Sequence, residues 1–201
     1  MTGRLTLRRI SIAAAVLALV ALLAVGLVQL AGSAGSSATA PLRLSLARMR
    51  TQLAGSPAPL ASLHEQASEI LGGSLPALRR RLAALHGEPV VINKWASWCG
   101  PCQAEIGIFQ RVSLARGREV AFIGIDTSDS RSNAGGFLRS YPLSYPSYFD
   151  PTGSLGEAIT DSGNTPVTVF YDRAGRFFIY QGPFASVQKL ERDVERYALG
   201  A

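Results

Sequence analysis

The sequence predicts an α/β sandwich with a mixed central sheet, preceded by one N-terminal transmembrane helix. Three features carry this reading. An uncharged, strongly apolar run fills residues 10–31; short β-branched strands alternate with helical periodicities from Leu60 onward; and the last two strands are separated by Asp172-Arg173-Ala174-Gly175-Arg176. Strands alternating with helices imply parallel pairing, and a closing hairpin adds antiparallel strands to the same sheet.

The N-terminal element is taken first. Residues 10–31 reach about 33 Å as a helix, enough to cross a hydrocarbon core of about 30 Å. The alternative is a cleaved signal peptide, because Arg4, Arg8 and Arg9 precede the run and Ala38-Thr39-Ala40 fits a small-residue cleavage pattern, but the apolar stretch is longer than the roughly 7–15 residues usual for a signal. Either way the leading arginines hold the N-terminus in the cytoplasm and send the remainder across. The expected localisation is therefore the plasma membrane, single-pass, with an extracytoplasmic catalytic domain. The net charge of +6 is carried by Arg4, Arg8, Arg9, Arg43, Arg48 and Arg50, since the first 50 residues hold no acid and the rest of the chain balances. A basic excess flanking an apolar run is a membrane feature, which excludes nucleic acid as a partner. We read 1–9 as a cytoplasmic N-terminus, 10–31 as a transmembrane anchor or uncleaved signal, 32–57 as a linker and 58–201 as the folded domain. Leu42, Leu44, Leu46, Met49 and Leu53, interleaved with arginines, are expected to be a plain tether, with a basic helix lying on the membrane as the alternative.

Within the domain, helical spacing covers Leu60 to Leu71 and Leu75 to Leu85, the second with a solvated arginine face at Arg79, Arg80 and Arg81. Pro89 to Ala96 is a buried strand, followed by a helix that opens near Cys99 and runs toward Gly117. Val120 to Ile125 is a second buried strand and Ala134 to Arg139 a short helix. Tyr141 to Pro151 carries no decisive pattern, and Gly156 to Ile159 is one or two helical turns. Val167 to Tyr171 and Phe177 to Tyr180 form the hairpin with its turn at Gly175, and an amphipathic helix through Val187, Leu190, Val194 and Tyr197 closes the domain.

The chain has two cysteines, both in Cys99-Gly100-Pro101-Cys102. Loop closure over so short a span contributes under about 2 kcal/mol, so a disulfide here is a poor staple and is better read as reactive. A thiolate attacks a disulfide, and the nucleophile must therefore be exposed with a lowered pKa. Cys99 stands where a strand gives way to a helix, whose unpaired N–H groups and dipole favour the anion by about 0.3–1 kcal/mol, or up to a pKa unit or so at most. Pro101 suits the first helical turn because its missing N–H is an orphan there. Cys102, one turn on, is the resolving thiol. Half of a zinc site is the alternative use of a CxxC pair, but His64 and His86 supply no second pair at ligand spacing; no metal and no cofactor beyond the redox-active disulfide is expected.

Trp95-Ala96-Ser97-Trp98-Cys99-Gly100-Pro101-Cys102-Gln103-Ala104-Glu105 resembles the redox motif of the thioredoxin superfamily, and the Glu three residues past the second Cys resembles its TlpA, ResA and CcmG branch. Asn164-Thr165-Pro166-Val167-Thr168-Val169-Phe170-Tyr171-Asp172-Arg173-Ala174-Gly175 is similar to that branch's cis-proline strand and hairpin. The resemblance covers roughly residues 58–198 and implies a thioredoxin-like three-layer sandwich. It also implies that Pro166 is cis and faces the CxxC, that Thr165 offers backbone groups to an extended client strand, and that Glu105 assists proton transfer at Cys102. Catalytic residues are then Cys99, Cys102 and Glu105, with Trp98, Gly100, Pro101, Thr165 and Pro166 on the substrate-binding surface. Asn93 stands where thioredoxin has a buried acid, leaving that role to Glu105. Trp95 is expected in the core, and Lys94 at a solvent-facing strand end. Gly107 departs from the branch, which usually has Pro there.

The expected function is an extracytoplasmic disulfide reductase acting on exported proteins, with apocytochrome c as a candidate client and a membrane electron donor as a partner. A thiol oxidase with the same motif, a tethered adaptor that binds clients without chemistry, and a peroxidase remain the rival readings. The last lacks an isolated peroxidatic Cys with nearby Thr and Arg.

Overall fold

The computed structural model describes residues 40–201, so the expected membrane span at 10–31 lies outside the described residues. Among the described residues no helix is long and apolar enough to cross a membrane. In chain order the elements are α1 (Leu46–Gln52), α2 (Ala58–Glu65), β1 (Ile70–Gly72), α3 (Leu75–Ala84), β2 (Val90–Trp95), α4 (Gly100–Arg116), β3 (Ala121–Thr127), α5 (Arg131–Ser140), β4 (Ser147–Asp150), α6 (Ser154–Thr160), β5 (Val167–Tyr171), β6 (Phe177–Gln181) and α7 (Val187–Asp193), which continues as a π-helical turn, Val194–Leu199.

The sheet runs β1-β4-β3-β2-β5-β6. The first four strands are parallel, and β5 and β6 are antiparallel to their neighbours, which gives the mixed sheet the sequence predicts. Period-two alternation along the central strands divides the core. Val91, Trp95 and Phe122 meet Ile106 and Phe109 of α4, Leu138 of α5 and Leu190 of α7 on one face. Val90, Ile92, Ile123 and Ile125 meet Leu60 and Leu63 of α2, Leu78 of α3 and Leu155 of α6 on the other. A strand buried on both faces reads as a continuous apolar run, and β2 is buried along its whole length.

Three expectations need correction, and one undecided stretch gains a structure. The segment 42–57 is not a plain tether. Ser45 caps α1 by accepting the Arg48 N–H, Met49 and Leu53 bury against Leu114 of α4, and the Leu42 amide donates to Gln110 Oε1. An arginine-interleaved apolar stripe looks the same from sequence whether a membrane or a helix covers it; here α4 covers it. The helix expected over Leu60–Leu71 ends at Glu65, and β1 follows as an edge strand of three residues, too short to show a period. In the undecided stretch 141–151, β4 forms because Ser147 pairs with Gly124, a close approach that leaves no room for a β-carbon on Gly124. Finally, Lys94 is 1% exposed rather than facing solvent; its Nζ turns back to donate to Ser162 O at 2.6 Å, and burial lowers its pKa despite Asp150 and Glu157.

Candidate redox site

Strand β2 delivers the loop Ala96-Ser97-Trp98 to the start of α4, and Cys99 is that helix's N-cap. Cys99 and Cys102 are joined as a disulfide. The Cys102 backbone N–H donates to Cys99 Sγ at 3.2 Å. This contact, together with the helix dipole, is the one that stabilises a Cys99 thiolate once the pair is reduced. The sulfurs are less accessible than a free nucleophile demands, since Cys99 is 3% exposed. What surrounds them is open: Trp98 is 58% exposed, and Gly100 and Pro101 are exposed.

Opposite the disulfide, the Thr165–Pro166 peptide bond is cis, and Pro166 is buried at the head of β5. Thr165 O lies 3.8 Å from Cys99 Sγ, and Thr165 Oγ1 lies 3.7 Å from Cys102 Sγ while donating to Lys94 O at 3.1 Å. The Thr165 hydroxyl therefore bridges β2 and the resolving cysteine, a contact that sequence reasoning, which assigned only backbone groups to Thr165, did not supply.

Glu105 sits one helical turn beyond Cys102 on α4 and is buried. Asn93 Nδ2 donates to its Oε1 at 3.1 Å and the Phe184 amide to its Oε2 at 2.8 Å. Burial pushes its carboxyl up to about 8, against the opposing pull of those two hydrogen bonds. It is thus a dry, rigidly held acid that exchanges a proton near neutral pH. Asn93, in the place of thioredoxin's acid, orients the one that Glu105 supplies. α4 runs unbroken through Gly107, so the residue that replaces the branch's proline leaves the helix continuous.

The lip beside Cys99 is fixed from β3's carboxyl end. Asp129 Oδ2 accepts the Ser97 N–H at 2.7 Å, Ser128 O accepts the Trp98 indole N–H at 2.9 Å, and Gln103 Nε2 donates to Ser97 O at 2.6 Å. Asp129 and Ser128 were not singled out from the sequence. The available signal was their position just after a parallel strand's carboxyl end, where open α/β sheets gather their sites. His64 is buried under α4's end with Nε2 at 3.0 Å from Gly117 O.

Comparison with known proteins agrees with this geometry. The family model described as Redoxin matches residues 54–180. The thiol:disulfide interchange protein HelX of Rhodobacter capsulatus is 32% identical over 155 residues, which is 75% of this chain and 80% of that protein. The thiol-disulfide oxidoreductase ResA of Oceanobacillus iheyensis is 29% identical over 93 residues, 45% of this chain and 47% of ResA, so the match spans about half of that relative's length. Among solved structures, a secreted Mycobacterium tuberculosis disulfide oxidoreductase described as homologous to Escherichia coli DsbE superposes with a TM-score of 0.52 at 28% identity, covering 57% of this chain and 85% of that one.

Proposed function

The chain belongs to the Redoxin family, among the TlpA-, ResA- and CcmG-like thiol:disulfide oxidoreductases of the thioredoxin superfamily, and on that premise we propose that it reduces disulfides in exported proteins from a membrane-anchored position outside the cytoplasm. The observation that carries the reading is the disulfide at the mouth of α4, with the Cys102 N–H on Cys99 Sγ and the buried Glu105 one turn below.

In the reduced enzyme the Cys99 thiolate attacks one sulfur of the client disulfide, forming a mixed disulfide and expelling the client's other sulfur as a thiolate that takes a proton from water. Cys102 then loses its proton to the ionised form of Glu105, the minority form below about pH 8, and attacks Cys99 Sγ. The bond between Cys99 and the client breaks, the second client sulfur leaves as a thiolate and is protonated, and two electrons have passed to the client while Cys99–Cys102 is left oxidised. A dithiol donor in the membrane must then reduce the pair for another cycle. Trp98, Gly100, Pro101 and the Thr165–Pro166 turn form the surface against which an extended client strand lies. Apocytochrome c suits this chemistry as a client, because its haem-binding cysteines must be reduced before attachment.

Residues 10–31 supply the anchor in this proposal, with the N-terminus cytoplasmic. Two experiments test the reading. A Cys102→Ser variant traps a client on Cys99 as a mixed disulfide, whereas Cys99→Ser traps none; the reverse pattern would contradict the assignment of nucleophile. A reporter enzyme active only outside the cytoplasm, fused after Ala201, reports activity in the proposed topology and none if the domain stays inside.

A further inference from the structure

Asp126, the penultimate residue of β3, lies in register between Trp95 of β2 and Phe149 of β4. It is fully buried, and neither carboxyl oxygen meets a hydrogen-bond donor. The charged groups facing it are Asp129 from the β3–α5 loop, Asp150 at the end of β4 and Arg131 in the first turn of α5. All three are engaged elsewhere. Arg131 donates to Ile70 O and stacks over the Phe149 ring; Asp150 accepts from the Thr127 hydroxyl and from the Leu155 and Gly156 amides; Asp129 accepts from the Ser97 and Ser130 amides. On α4, Glu105 is satisfied by Asn93 and Phe184.

A buried carboxylate without donors is strongly disfavoured and takes up a proton instead. Burial first, and the neighbouring Asp129 second, push Asp126 up to about 8. Two carboxylates cannot hydrogen bond to each other, but a carboxylic acid donates to a carboxylate, and Asp129 retains lone pairs beyond those used by Ser97 and Ser130.

We infer that Asp126, as the neutral acid, is a positioning residue of the redox site: its hydroxyl donates to Asp129, and Asp129 in turn holds the Ser97–Trp98 lip beside Cys99. When Asp126 releases its proton to solvent at higher pH, a buried anion without a donor faces the half-buried Asp129 carboxyl. Asp129 is then driven outward, taking with it the acceptor of the Ser97 N–H and, through Ser128 O, that of the Trp98 indole. The surface that receives a client strand loosens while the sulfurs themselves are untouched.

The inference rests on Cys99–Cys102 being the reacting pair, but its test reads the lip and not the chemistry, so the two fail separately. The test is an NMR pH titration of the full chain, held oxidised so that no thiol titrates, following the Ser97 amide and the Trp98 indole N–H from about pH 6.5 to about 9.5. We expect both signals to move together through one transition near pH 8, to keep that transition in Glu105→Gln, and to lose it in Asp126→Asn, whose amide donates to Asp129 at every pH. A transition that survives in Asp126→Asn, one that vanishes in Glu105→Gln, or the absence of any transition in the wild type would overturn it. Asp126→Leu, which carries no titrating group, is expected to lose the transition as well; a transition near pH 8 that persists in a folded Asp126→Leu protein would overturn it equally.

Discussion

Glu105 is held in the fold as an acid where water cannot solvate its anion, and that has a thermodynamic consequence. Its carboxyl is raised from 4.5 to about 8 by burial, so the native state binds a proton more tightly than the unfolded chain does. The stabilisation is fully present below the unfolded value, falls as pH rises through the interval, and is gone above about 8. Thermal melts from pH 5 to 9 should therefore show Tm falling with pH. Glu105→Gln should lessen the slope, Asp126 supplying what remains, and should be more stable than wild type at pH 9 by up to on the order of a few kcal/mol; an unchanged slope would show that Glu105 is not a titrating group. In catalysis the same variant should slow release of a trapped client by about 100-fold or more while leaving the first attack by Cys99 nearly unchanged, measured by rapid quench of the mixed disulfide. At this scale Cys99, Cys102, Glu105 and Pro166 are legible as candidates because each belongs to a short motif read on the residues themselves. Asp126 and Asp129 are not, since an Asp after a buried strand looks like an ordinary loop acid until the fold shows which of its neighbours can donate to it.

At the scale of elements, the packing of α1 on α4 makes residues 42–53 part of the domain. A fragment that begins at Ala40 should be more stable than one that begins at Ser56, and Met49→Ala in the full chain should cost about 2–5 kcal/mol because a buried side chain is replaced by a cavity; denaturant unfolding measures both. If Met49→Ala were neutral, the segment would be a tether after all. In β3, a β-carbon at Gly124 would lie 2.1 Å from Ser147 Oγ and 2.9 Å from Trp95 Nε1, two atoms that hydrogen bond to each other. Gly124→Ala should thus lose about 1–3 kcal/mol and shift Trp95 fluorescence. The long strands β2, β3, β5 and β6 were readable from their β-branched and aromatic runs, and α3 and α4 from proline in the first turn. β1 and β4 escaped because strands of three and four residues hold too few positions for a period, and they are made by pairing with β4 and β3 rather than by local preference.

At the scale of the molecule, the order β1-β4-β3-β2-β5-β6 brings the carboxyl ends of β2 and β3 and the amino end of β5 to one end of the sheet. That end supplies the dithiol, the lip and the cis-proline turn together, with helices packed on both faces of the sheet. Such a site sets the stability of the Cys99 thiolate, and through it the direction of electron flow: the more the reduced pair is stabilised, the more oxidising the protein becomes. The Cys102 N–H is the donor at Cys99 Sγ, and Lys94 turns toward Ser162, an arrangement in keeping with the reducing direction proposed above. The most direct test is equilibration of the protein from Ala40 onward with defined dithiol and disulfide buffers, following alkylation of Cys99 and Cys102. The account predicts a single two-electron midpoint at or below about −220 mV, in the range of thioredoxin and the glutaredoxins; a midpoint near about −120 mV, that of a strong thiol oxidant, would contradict it.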